Sequence, residues 1–144
     1  MRVPPIVFDD WALRYVNSNI TYAARNRGPL PEKTFRAHFH ISSQGCSDLW
    51  LRLTLGIGPL KEFNNVAFEE IKENHLLWTL HYLHIAPSNE VASTFFGTSQ
   101  KTYRKYNWAL LRFLHYLSTK MVRTSSMLTC NHLLIMTLVL LNLR

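Results

Sequence analysis

Lys101, Arg104, Lys105 and Arg112 recur at steps that return to one side of a helix, and Ser99, Gln100 and Thr102 stand beside the first of them. Together these side-chain types suit one kind of chemistry. Arg and Lys neutralise phosphates and reach guanine edges, and Gln pairs with adenine in the major groove. Ser and Thr donate to phosphate oxygens, most readily near a helix N-terminus, where the backbone dipole also favours an anion. Gln100, Lys101, Arg104 and Lys105 are therefore the expected groove contacts. Ser99, Thr102 and Arg112 are the expected backbone contacts, and double-stranded DNA is the expected partner.

These residues need a rod to hold them. Tyr103, Tyr106, Leu110, Phe113, Leu114 and Leu117 recur at steps of three and four, which predicts a helix from Ser99 to about Leu117 or Lys120 with that stripe against a core. Lys101, Arg104, Lys105, Trp108, Arg112 and His115 fall on its other side. Upstream, Ser88 or Pro87 starts a short helix that ends near Phe96. Gly97 follows, and glycine permits the positive φ that a change of helix direction demands. The small Ala92 and Ser93 would let the two helices approach closely. The segment from Pro87 to Leu117 thus has the layout of a helix-turn-helix unit. The same layout also occurs in bundles that never touch DNA, and a basic outer face is often only solvated.

Charge separates the two ends of the chain. Residues 1–90 contain nine Lys/Arg and nine Asp/Glu, whereas the last 54 residues contain no acid, so the whole net charge of +7 lies there. A one-sided basic field is the footprint of a polyanion partner. A chain of 144 residues that is 47% hydrophobic is large and apolar enough for one folded domain, which excludes a disordered chain. Cys46 and Cys130 are too few for a disulfide scaffold or a Cys-only zinc site. Arg2, two prolines, Asp9 and Asp10 do not make a secretory signal, so a reducing, intracellular compartment is expected.

The remaining elements read as helices. One runs from about Asp9 to Ala24 with Asp9 or Asp10 as its cap, and Gly28-Pro29-Leu30-Pro31 forms a stiff linker after it. A short helical turn covers Lys33 to His40, and a helix capped by Ser42 or Ser43 covers Gln44 to Leu55. Residues 60–70 read as a loop with a short helix. Ile71 to Ile85 is apolar nearly all round, the mark of a helix in the middle of a bundle. No long period-two alternation competes. The expected fold is an all-α bundle of five or six helices. Its expected divisions are an N-terminal helix and linker over 1–30, a helical DNA-binding domain over 31–122, and an apolar tail over 123–144.

Other candidate groups are weaker. His81 with His84, and His38 with His40, lack Cys or carboxylate partners and are better read as core or rim residues than as a metal site. Cys46 has no visible base and reads as a buried, inert thiol. Glu69, Glu70 and Glu73 read as a solvated helix face. No P-loop, GxSxG, HExxH or carboxylate cluster is present, so no enzyme activity, cofactor or metal is expected.

The motif order resembles a known family. Thr34-Phe35-Arg36-Ala37-His38-Phe39-His40-Ile41, then Cys46 to Leu51 (CSDLWL), then His75-Leu76-Leu77-Trp78-Thr79-Leu80-His81-Tyr82-Leu83, then Phe96 to Trp108 (FGTSQKTYRKYNW) is similar to the N-terminal region of Harbinger/PIF-like transposases of the DDE superfamily. The likeness spans about residues 34–122. It implies a helix-turn-helix element that precedes a ribonuclease-H-like nuclease domain, and a nuclear site of action. That nuclease needs three carboxylates to hold two divalent cations. In the family they lie downstream of the resembling region, and here no Asp or Glu follows Glu90. The expectation is a truncated or degenerate copy that binds DNA, as a monomer or a homodimer, without strand-transfer activity.

From Met127 to Leu143 the chain is mostly apolar over 17 residues. A membrane span needs roughly 18 or more, and Asn131, His132 and Asn142 interrupt this one. The competing expectations are a small protein anchored in a membrane through residues 127–143, with Lys120 and Arg123 as cytoplasmic flanks, and an inactive remnant.

Overall fold

Six α-helices and one very short hairpin make up the computed structural model, which describes residues 2–56, 62, 63 and 65–124. In chain order they are α1 (Pro5–Ser18), α2 (Glu32–Phe39), α3 (Ser43–Gly56), β1 (Glu62–Phe63), β2 (Val66–Ala67), α4 (Glu73–Ile85), α5 (Asn89–Phe96) and α6 (Gln100–Thr124). The fold is an all-α bundle. Helix α4 touches α1, α2, α3, α5 and α6. Leu76, Leu77, Trp78, Thr79, Leu80 and His81 are all buried, so every side of it meets another element. This is why its sequence has no polar stripe.

The first helix differs from expectation at both ends. It starts at Pro5, with Pro4 as its cap, and not at Asp9 or Asp10. Proline is favoured at the first helical position, because the N–H it lacks would have no intrahelical partner there. The helix stops at Ser18, six residues before Ala24. There Asn19 Nδ2 donates to Tyr15 O (2.7 Å) and to Phe95 O (2.8 Å), and Ser18 Oγ also donates to Tyr15 O (2.8 Å). A separate 3-10 turn holds Tyr22–Ala24. Helix α1 packs on α3, α4 and α5, and Phe8 and Ala12 belong to the common core. The Tyr15 hydroxyl accepts from Trp78 Nε1 (3.1 Å) and Asn74 Nδ2 (3.2 Å), which ties α1 to α4. Arg2 pairs with Asp48, and Ser47 Oγ donates to Val3 O (2.5 Å), which fixes the chain before α1 onto α3.

The segment before α4 is not simply a loop with a short helix. Glu62 pairs with Ala67 and Phe63 with Val66 in an antiparallel hairpin, followed by a 3-10 turn at Phe68–Glu70. Two residues per strand are too few to show a period of two. Aromatic contacts clamp this unit to the helices. Phe63 and Phe68 meet Phe113 edge-on at 5.1 and 5.4 Å, and Phe68 stacks on Trp50 at 5.6 Å.

The histidines are packing groups. His81 stacks on Phe95 at 4.9 Å, and its Nδ1 lies 3.1 Å from His38 O. His75 stacks on Tyr106 at 4.2 Å, and its Nδ1 accepts the Lys72 N–H (3.0 Å). His40 lies 4.8 Å from His84 between ring centres. Among the described residues no group of three His, Cys, Asp or Glu could hold a metal ion. Cys46 is fully buried, and burial pushes its thiol well up, with the Asp9 charge adding to the effect. No described helix is long and apolar enough to cross a membrane. The tail over 127–143 lies outside the described residues.

Burial lowers the pKa of His75 and of His81 to about 4. Both rings stay neutral in the folded chain while an unfolded one takes up protons below about pH 6.5. The contribution of these two rings to stability should therefore be flat above pH 6.5, fall as the pH drops towards 4 and level off below. Each ring contributes on the order of 2 kcal/mol to that loss. Urea midpoints measured across this range check it, and a midpoint unchanged between pH 7 and 4.5 would contradict it.

Candidate nucleic-acid interface

The outer face of α6 depends on how the helix is started and which side it buries. Helix α5 opens on Ser88, whose Oγ accepts the Val91 N–H (3.2 Å). It closes on Gly97, which has φ 66° and a backbone N–H aimed at Ser93 O and Thr94 O. The Thr98 N–H returns to Ser93 O (2.9 Å), so Ser93 O and Thr94 O are satisfied within the turn, while Phe95 O accepts from Asn19. Ser99 then caps α6, its Oγ accepting the Thr102 N–H at 3.1 Å. Ala92 and Ser93 are buried, and α5 packs on α6, α1 and α4. The two helices and their turn form the helix-turn-helix-like unit that the sequence outlines.

The inner side of α6 buries Tyr103, Leu110, Phe113, Leu114 and Leu117. Tyr106 is only half-buried, against His75. The contact is wider than the expected stripe, because Asn107, Ala109, Leu111 and Ser118 are buried too. Helix α6 is gripped by α4, α5, α3 and the hairpin, so more than one stripe is covered. It also runs past Lys120 to Thr124.

Gln100, Lys101, Arg104, Lys105 and Arg112 are exposed, and 40% of Trp108 is exposed among them. At 3.6 residues per turn, positions 101, 104, 105, 108 and 112 share an arc of about 100°. They extend over roughly 16 Å of helix. Lys101, Arg104, Lys105 and Trp108 line one shallow, open depression of about 420 Å³. Arg112 continues the same arc beyond it. Ser99 and Thr102 are placed differently. Thr102 is half-buried at the flank, and the Ser99 hydroxyl donates to Thr102 Oγ1 (2.8 Å). Ser99 thus acts as the cap of the helix, with its proton already engaged.

Lys105 is the member whose surroundings the sequence conceals. Its Nζ lies 3.0 Å from Glu70 Oε2 and 4.9 Å from the Tyr106 ring centre. Glu70 sits in the 3-10 turn after the hairpin, and its Oε1 also accepts the Ala67 N–H (3.3 Å). The hydrogen bond from Lys105 holds the Glu70 carboxyl below its usual range, and Glu70 in turn raises Lys105. Glu70 is therefore not part of a solvated helix face with Glu69 and Glu73. No residue spacing shows a contact across 35 positions; only the docking of the hairpin on α6 creates it. Lys101, Arg104 and Arg112 pair with no carboxylate among the described residues.

No protein family, curated protein or solved structure matches this chain.

The turn can be tested apart from any ligand. Gly97→Ala places a side chain at φ 66° in otherwise open space. It should destabilise the fold by about 1 kcal/mol through backbone strain alone. Ser99→Ala removes the cap and should lower stability by about 1 kcal/mol. Chemical denaturation of both variants checks these values, and two neutral substitutions would mean that the turn does not start α6.

Proposed function

We propose that this chain is a non-catalytic, transposase-derived DNA-binding module with α6 as its recognition helix. The observation that carries the reading is the single arc formed by Lys101, Arg104, Lys105 and Arg112, on the side of α6 that the core leaves open. Arg and Lys near the start of such a helix suit the major groove, with Gln100 next to them. Arg112 lies further along, where it suits a backbone phosphate. The turn orients Ser99 and Thr102 at the N-terminus of α6, and the uncommitted Thr102 proton suits a phosphate oxygen.

Descent from a Harbinger/PIF-like transposase is supported by the order of the four sequence motifs across 34–122. Residues 91–144 contain no Asp or Glu, so they supply none of the three carboxylates that such a nuclease needs. The nucleus is the proposed site of action, and a homodimer on a two-fold DNA site is compatible with it.

Salt titration of binding to a DNA duplex tests the reading. With three to four phosphates neutralised, log K should fall against log salt with a slope of about −3. Lys101→Ala and Arg104→Ala should each weaken binding by about tenfold. Glu70→Gln should tighten it by a few-fold, since it frees Lys105 from its carboxylate. Salt-independent binding, or no effect of Lys101→Ala and Arg104→Ala together, would sink the proposal.

A further inference from the structure

Trp108 is an expensive residue to leave half in water. The chain has four tryptophans. Trp50 and Trp78 are buried in the core, and Trp11 is half-buried with Arg14 over its ring at 5.1 Å. Trp108 alone stands among the exposed large apolar side chains, at 40% exposure. Its inner part meets Tyr82, 6.2 Å between ring centres, so the ring is supported from below. Its remaining surface lines the depression that Lys101, Arg104 and Lys105 also line. Arg104 and Arg112 stand one turn before and one turn after it, about 6 Å away along the axis in each direction.

A closed duplex offers this ring little more than a thymine methyl. The major groove presents base edges and thymine methyls, while the flat faces of the bases are hidden in the stack. An indole flanked by cations matches instead the way proteins hold unpaired nucleotides. The base stacks on the aromatic ring, and Lys or Arg neutralises the adjoining phosphates. A membrane surface is less well matched, because interfacial binding needs a broad apolar stripe beside the cations. Here one aromatic residue is set among four basic ones on that arc.

We infer that Trp108 is a stacking platform for an unpaired base, so that this chain prefers duplex DNA carrying an unpaired nucleotide to fully paired DNA. The inference rests on the DNA-binding reading above and names the form of DNA that it selects. Lys101 and Arg104 hold the paired segment next to the turn, and the extruded base reaches the indole one turn further on.

The experiment uses the full chain with two duplexes of the same sequence, one fully paired and one with a short unpaired bulge. Affinity is read by anisotropy of labelled DNA, and stacking by quenching of tryptophan emission. The bulged duplex should bind about tenfold tighter. It should quench a component of the emission that Trp108→Phe lacks. Trp108→Ala should bring the ratio of the two affinities to about one, and Trp108→Phe, which keeps an aromatic face, should retain most of it. Circular dichroism of each variant confirms that α6 is intact. Equal affinity of the unmodified chain for both duplexes would overturn the inference while leaving duplex binding in place. Binding to neither duplex at low salt would overturn both. A Trp108 emission shift with phosphatidylserine vesicles and none with DNA would assign the ring to a lipid surface and overturn it as well.

Discussion

The seating of α6 on α4 is the contact from which the rest of the arrangement follows. Tyr103, Leu110, Phe113 and Leu114 are almost completely withdrawn from water, and Leu76, Leu77 and Leu80 of the central helix are equally so. Each such side chain contributes roughly 1.5–3 kcal/mol by its burial. A register shift of one residue would turn α6 by about 100° and bring Arg104 or Lys101 towards the core. The cost of burying an unpaired cation excludes that alternative. The apolar side thus decides where the basic side points.

The basic side is modified from outside its own helix. The hairpin between α3 and α4 is too short to be stable alone. Phe63, Phe68 and Trp50 attach it to Phe113, and this attachment brings the Glu70 carboxylate to Lys105. An exposed pair of this kind contributes little to stability. Its importance is local: one cation of the arc already has an anion beside it, while Lys101, Arg104 and Arg112 have none among the described residues. The field is therefore uneven along the helix despite the regular spacing of the residues that make it.

How much of this was legible in the sequence depended on whether local or distant atoms decide each feature. The α5–α6 turn was legible because Ser88, Gly97 and Ser99 act on their own neighbours. The central position of α4 was legible because a helix apolar on all sides has one stable location. The start of α1 was not legible, because Asp9 and Asp10 are good caps, yet Pro4 and Pro5 fix the backbone earlier and Phe8 is buried in the core. The hairpin and the Glu70–Lys105 pair were invisible because tertiary docking creates them. Within the candidate site the exposed positions of Lys101, Arg104, Lys105, Trp108 and Arg112 followed from helical periodicity, whereas His115, expected on the same side, is half-buried. The engagement of Ser99 by Thr102 did not, since hydroxyl partners depend on rotamers.

Ala86 closes α4 in the left-handed region at φ 52°, with its N–H on Tyr82 O at 2.8 Å. An alanine there is strained by roughly 1 kcal/mol, and Pro87 immediately restricts the next step of the chain. Glycine would relieve the strain and would also loosen the angle between α4 and α5. The corner therefore exchanges some stability for a fixed bearing: α5 leaves the central helix in one direction, and the α5–α6 unit inherits its aim from a single stiff peptide.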